Sequence, residues 1–434
     1  MSVVINGAAM VREHSHAATR SAVKIFLRAG VLSVLVAAPL AFGATTTMAS
    51  AALIAAAWLL LLLWIFHCVR KEALPLNLPM AAIPAALLVL FTAVHWAAGI
   101  SVAPHATQLE WLRWVGYAAL ALVAIECFDT PRRLARLAEA LAFAGFLIAA
   151  LAIAQYLTSN GKIYWLIEPT HGGWIFGPYV NRNHYAGLME LWTPLAIGLA
   201  LRPENTMGKR WLWCAVALVM GSSVLLSGSR GGTIALVAEI AVLALATSAL
   251  HGGRKALAGV AIALVLIGAT VWALDQNKML DRFKDSFRPN TTMQEEAAAH
   301  RIGAWKGSWT LFEQHWAIGS GLETFEPLFP AVRPFATDKI WTHAHNDWLQ
   351  FLAETGAVGA ALGLWILFAG GLQVWRNLKQ TSGTATGAIL IGMTTGCVGL
   401  MVHGWLDFNF HVPANAANFA VLAAVLVRRG WDEI

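Results

Sequence analysis

Charge is what this chain has least of. Only 12% of its 434 residues are Asp, Glu, Lys or Arg, against about 25% in an average soluble domain. Hydrophobic residues make up 58%, and the mean hydropathy is +0.61. That shortage excludes a water-soluble globular protein and leaves a polytopic membrane protein. Cysteine is also scarce. Cys68, Cys127, Cys214 and Cys397 contain no C-x-x-C pair and none falls in an outward loop, so no disulfide framework is expected. There is no H-E-x-x-H, no D-x-D, no internal repeat and no low-complexity tract. The net charge of +6 does not point to nucleic acid, because the basic residues punctuate hydrophobic runs.

Those runs are what the chain has in abundance. About 20 apolar residues span a bilayer. On that measure twelve spans are expected near 23–43, 49–69, 79–98, 112–128, 136–158, 183–201, 209–227, 231–250, 255–274, 346–372, 384–405 and 411–427. The fold class is therefore all-α. Ala41–Ala44 offers a small-residue cleavage pattern, but the next run follows after a short turn, which fits an uncleaved helical hairpin. Arg70 and Lys71, Arg132 and Arg133, Lys209 and Arg210, Arg254 and Lys255, and Arg428 and Arg429 all fall on one side; the opposite short loops hold only Arg113, Lys162, Arg182 and Arg230. By the positive-inside rule both termini are cytoplasmic. The chain divides into a tail at 1–22, nine spans over 23–274, a long periplasmic loop at 275–345, three spans over 346–427 and a tail at 428–434. Within the loop, Ile302, Trp305, Trp309, Phe312 and Trp316 recur at helical spacing, predicting an amphipathic helix laid on the membrane surface or on its neighbours.

Polar residues concentrate on the outward side. Two histidines, an amide and a carboxylate crowd His343–Asp347, at the mouth of an apolar helix. If that segment is extended, His343 and His345 point the same way, and with Asp347 they are candidate metal ligands; the preferred reading is a histidine general base facing water. Arg230, in Ser227-Gly228-Ser229-Arg230-Gly231-Gly232, suits bidentate phosphate binding between small residues that let a ligand approach. An interfacial anchor, or a partner for a buried carboxylate, is the alternative. Arg182 carries the same two readings, and Arg301 on the loop helix is by default a solvated charge. Glu190, Glu239 and Glu354 lie about two turns inside their spans, where an ionisable group needs a partner. They shape an acceptor cavity or relay protons, or they pin helices by pairing with arginine. His403, Asp407 and His411 recur four apart at the last outward turn, a weak pattern because Pro413 ends regular geometry nearby.

Over residues 170–410 the chain resembles the O-antigen ligase and O-antigen polymerase superfamily of bacterial membrane glycosyltransferases. The resemblance rests on Gly177–Gly187, Ser227–Gly231, Arg301 followed by Trp305, Gly319-Ser320-Gly321, and His343–Gln350 with Glu354-Thr355-Gly356. It implies transfer of a glycan from an undecaprenyl-diphosphate-linked donor to a hydroxyl acceptor at the periplasmic face of the bacterial inner membrane, with no cofactor and no metal. The acceptor is lipid A core for a ligase, or a second lipid-linked glycan for a polymerase. His345 matches the family's proposed base, Arg230 and Arg301 its diphosphate arginines, and His343 a less constant position. Arg182 departs from the pattern. Expected substrate contacts are Arg182, Asn181, His343, Asn346, Asp347 and Glu354. A polysaccharide or lipid transporter is the rival class; it should show inverted repeats and helices interrupted at the midplane.

Overall fold

A computed structural model describes residues 22–70, 78–169, 174–251 and 292–431. Within them the chain is all helical, and β structure is limited to isolated bridges. The helices are α1 (Ala22–Leu40), α2 (Thr47–Val69), α3 (Ala82–Ala97), α4 (Pro104–Cys127), α5 (Pro131–Leu157), α6 (Arg182–Ala200), α7 (Met207–Leu226) and α8 (Arg230–His251). They are followed by α9 (Thr292–Gln314), α10 (Phe325–Val332), α11 (Asp347–Gln380), α12 (Ala385–His403) and α13 (Pro413–Leu426).

Seven of these, α1, α2, α5, α7, α8, α11 and α12, are long and apolar enough to cross a membrane. Among the described residues the other expected spans do not meet that length and composition. Helices α3 and α13 are apolar but only 16 and 14 residues long. Helices α4 and α6 are long enough but carry Glu110, Arg113 and Glu126, and Arg182 and Glu190. The span expected at 255–274, and the first part of the long loop, lie outside the described residues.

Helix ends sort onto two sides, as alternating spans require. On one side Lys24 pairs with Asp129 at 3.4 Å, Arg202 with Glu139 at 3.0 Å, and Asn377 donates to the Leu426 carbonyl at 2.8 Å. On the other, Tyr164 donates to the Leu40 carbonyl at 2.6 Å and Thr107 to that of Leu322 at 2.7 Å. Helix α1 belongs to the bundle: Leu27, Val31 and Leu35 are fully buried, and Asn418 donates to the Leu35 carbonyl. The centre is α6, packed against α5, α7, α8 and α12. Most of its residues are buried, Trp192 completely.

Helix α9 forms where periodicity placed it, but only part of the striped face packs: Phe312 meets the buried cluster and Trp305 reaches the His345 carbonyl. Ile302, Trp309 and Trp316 are exposed, whereas Ala304, Ser308 and Leu311 are buried. The small residues face inward because α10 and the following segment bring Phe329 and Phe335 hard against Gly307 and Gly303. Of the two readings for the aromatic stripe, a face laid on neighbouring helices does not hold for these three residues.

Helix α11 is not one continuous span. Gly356 has φ 64° and ψ −165°, a region open essentially to glycine alone. The break frees backbone groups that apolar surroundings cannot satisfy, and the loop after α9 satisfies them. Ser320 and Gly321 amides donate to the Ala353 and Glu354 carbonyls at 3.2 and 2.9 Å; Ala357 and Val358 amides donate to Trp316 and Ala317 carbonyls at 2.8 and 3.1 Å. The loop is thereby stitched into the bundle directly behind the helix mouth. Gly356→Ala should lower stability by about 1–3 kcal/mol from backbone strain alone, and by more because its Cβ would run into the Gly319 backbone. Thermal unfolding in detergent measures this, and an unchanged melting temperature would contradict the account of the break.

Candidate active site

The polar cluster at the α11 mouth is held in place by its own helix. The Asn346 side chain accepts from the Leu349 amide at 3.0 Å, capping α11. The buried Ala344 amide donates to Gln350 Oε1 at 2.9 Å. His345 then adopts φ +51°, a left-handed conformation that costs a non-glycine residue about 1–3 kcal/mol. It is over-determined by two contacts. Its carbonyl accepts from Trp305 Nε1 at 3.3 Å, and its Nδ1 lies 3.1 Å from Asp407 Oδ1.

That bend separates the two histidines. His345 turns to Asp407, whereas His343 lies with Nδ1 3.4 Å from Gln350 Nε2 and its ring packed on His411 at 4.7 Å. Both rings rest against Phe408, at 4.4 Å for His343 and 4.8 Å for His345. Asp347, the third ligand of the metal reading, accepts instead from His411 Nδ1 at 2.8 Å and from the Phe410 amide at 3.1 Å. Burial, then the charges of His411 and His345, hold the His343 pKa well below the ordinary histidine value.

Asp407 is the hub. Its Oδ1 receives His345 and the Phe408 amide, the latter at 2.9 Å. Its Oδ2 receives the Asn183 side chain and lies 4.0 Å from the Arg301 guanidinium. The Asp407 side chain is 1% exposed and that of His345 24%, so the carboxylate is sealed while the imidazole reaches the surface. Burial opposes the charge, but the His345 hydrogen bond and the nearby His345, His184 and Arg301 charges hold the Asp407 carboxyl well below the usual carboxylate range. The His403, Asp407, His411 pattern, weak in sequence, is therefore central. His403 pairs with Glu190 at 2.9 Å, Asp407 with His345, and His411 with Asp347. Four-residue spacing of ionisable groups at a helix end was the available signal. Pro413 masked it: α12 ends at His403, and only a 3-10 turn at Asn409–His411 precedes α13.

The arginines approach from three elements. Arg301 comes from α9, half-exposed beside Asp407. Arg182, adjacent to Asn183, stacks over Trp174 at 3.9 Å and reaches over Gly228. Arg230 opens α8 and is exposed, next to Ser229, whose side chain accepts from the Gly232 amide at 3.0 Å. The small residues beside Arg230 admit the protein's own side chains: Arg182 lies against Gly228 and His403 against Gly231. Of the other expected contacts, Asn181 caps α6 through the Asn183 amide at 2.9 Å. Glu354 is buried and accepts from Gln350 and from the Glu323 and Phe325 amides. Glu190 pairs with a histidine, where an arginine was one expectation. Buried Glu239 has Oε1 without a hydrogen-bond partner.

An imidazole backed by a sealed carboxylate, with Arg301 beside that carboxylate, suits taking a proton from a hydroxyl beside an anionic leaving group. Comparison with known families decides the class. Residues 215–364 match the family model described as O-antigen ligase. The chain carries a domain of the O-antigen ligase superfamily. The match runs from α7 into α11 and includes Arg230, Arg301, His343 and His345, whereas Asn183, Asp407 and His411 lie outside it. No curated protein matches the chain. The O-antigen ligase domain implies a glycosyltransferase-like enzyme and, with the apolar helices, a multi-pass membrane protein.

Proposed function

We propose that this protein is an inner-membrane O-antigen ligase-type glycosyltransferase that moves a glycan from undecaprenyl diphosphate to a hydroxyl of lipid A core, on the periplasmic side and without a metal. The observation that carries the reading is the His345–Asp407 pair, with Arg301 on the same carboxylate, inside or against the O-antigen ligase domain.

In the reaction the acceptor oxygen attacks the anomeric carbon while the bond to the diphosphate breaks. The acceptor proton passes to His345 Nε2, which is left as the free ring nitrogen when Nδ1–H donates to Asp407. The electrons of the broken bond go to the leaving diphosphate, whose growing negative charge Arg230 and Arg301 stabilise, with Arg182 a further contact. His343 and Asn181 line the approach. Asn346, Asp347 and Glu354 hold the frame. His345 then returns its proton to water. A polymerase with a second lipid-linked glycan as acceptor would use the same residues. The break in α11 is a feature of the rival transporter class, but it lies only nine residues from the polar mouth, and the His345–Asp407 pair favours the enzyme.

Purified protein given lipid-linked donor and lipid A core should form the joined product, undiminished by excess chelator. Product only with a second lipid-linked glycan would reassign it as a polymerase, and activity lost to chelator and restored by one divalent ion would end the metal-free reading. Reporters fused near Lys339 should read periplasm and those at Arg133 cytoplasm; the reverse would overturn the orientation.

A further inference from the structure

The mouth of α11, from His343 to Asp347, and the turn between α12 and α13 are joined by two histidine–carboxylate contacts that run in opposite directions. His345 of the first segment meets Asp407 of the second at 3.1 Å; His411 of the second meets Asp347 of the first at 2.8 Å. The backbone closes the same seam: the Asp347 amide donates to the Gly404 and Asp407 carbonyls at 2.7 and 3.2 Å, and the Phe410 amide donates to the Asp347 carboxylate. We propose that His411 and Asp347 are positioning residues, a reciprocal pair that fixes the turn carrying Asp407 against His345.

The inference rests on the transferase reading only for its rate readout. Asp407 cannot orient His345 unless its turn is fixed against the His343–His345 segment. A salt bridge at the far end of a two-point seam restrains the rotation that a single contact leaves free. The pair also balances charge close to the base. His411 is faced by Asp347 and Glu354 of α11, by Glu323 of the loop after α9, and by the His343 ring. Burial alone would lower its pKa, but the Asp347 hydrogen bond and the charges of Asp347, Glu323 and Glu354 push it up to about 10. The groups around His345 are Asp407, Arg301, His343 and His184. Removing the His411 cation alone leaves the Asp347 carboxylate without its partner beside this cluster, whereas replacing both partners by amides removes that carboxylate together with the cation.

The test is a double-mutant cycle on the full chain in detergent: His411→Gln, Asp347→Asn and the pair together. One readout needs no glycan. Diethyl pyrocarbonate acylates neutral imidazole, and peptide mass spectrometry follows labelling of His345 against pH. His411→Gln should move that profile to higher pH, Asp347→Asn should not move it upward, and the double variant should return it to the wild-type position. The second readout is transfer, where each single variant should lose at least about tenfold in kcat with donor KM within about threefold. The double variant should recover part of that loss. If His411→Gln does not purify as a single species, Asp347→Asn and the double variant carry the kinetic cycle. An unmoved labelling profile, additive losses, or single variants with native kcat would overturn the proposal. Wild-type protein without transfer activity would instead overturn the enzymatic reading, and the labelling cycle would still decide this one.

Discussion

His345→Ala is expected to lower single-turnover transfer by about 10²–10⁴-fold, the range of a lost general base, while leaving binding of the lipid-linked donor close to wild type. The separation follows from where the side chain sits. Its ring contacts are to Asp407, Phe408 and Trp341, not to the arginines proposed to grip the diphosphate. Asp407→Asn should approach the same loss without removing the imidazole. The aspartate accepts on both oxygens, from His345 and the Phe408 amide on one and from Asn183 on the other, with Arg301 at its edge. An asparagine accepts on one oxygen only. Its NH2 must then face either His345 or Asn183, so it frees the imidazole to change tautomer or breaks the link to α6. His343→Ala should be milder. Donor binding and transfer measured on each variant check this, and near-native transfer by both His345→Ala and Asp407→Asn would remove the proposed base.

Losing either diphosphate arginine should cost about 10²–10³-fold in rate, as for other preorganised charge stabilisers, and should also weaken donor binding. Arg230→Lys and Arg301→Lys keep the charge but lose the planar fork, so most of the deficit should remain. The two sites differ in one respect that the structure supplies. Arg301 lies 4.0 Å from Asp407, so Arg301→Ala also strips a cation from the carboxylate behind the base; Arg230 opens α8. Arg301→Ala should therefore lose more transfer per unit of lost donor affinity than Arg230→Ala. Equal donor affinity and equal turnover in both alanine variants and wild type would exclude the diphosphate clamp.

Hydropathy alone determined that this is a bundle of apolar helices with its polar chemistry gathered at one set of helix ends. It is a sum over about 20 neighbouring residues, and burial in a bilayer depends on little else. The same locality made Asn346 and His345 legible at a helix mouth, and Arg230 at the start of α8. What pairs with what was not legible. Asp407 lies 62 positions from His345 and 224 from Asn183, and Glu190 lies 213 from His403. Contacts at such separations depend on which helix faces meet, and an apolar helix offers several faces of nearly equal hydropathy. The buried face of α9 shows this most plainly. Periodicity selected Ile302, Trp305, Trp309, Phe312 and Trp316, but packing leaves Ile302, Trp309 and Trp316 exposed and buries Ala304, Ser308 and Leu311, because Gly303 and Gly307 on that side let the Phe335 and Phe329 rings close in. The break at Gly356 was likewise beyond hydropathy, since the run on average stays apolar across it despite Gln350, Glu354 and Thr355. It exists because the loop after α9 supplies, from more than thirty positions away, the hydrogen bonds that the interrupted helix gives up.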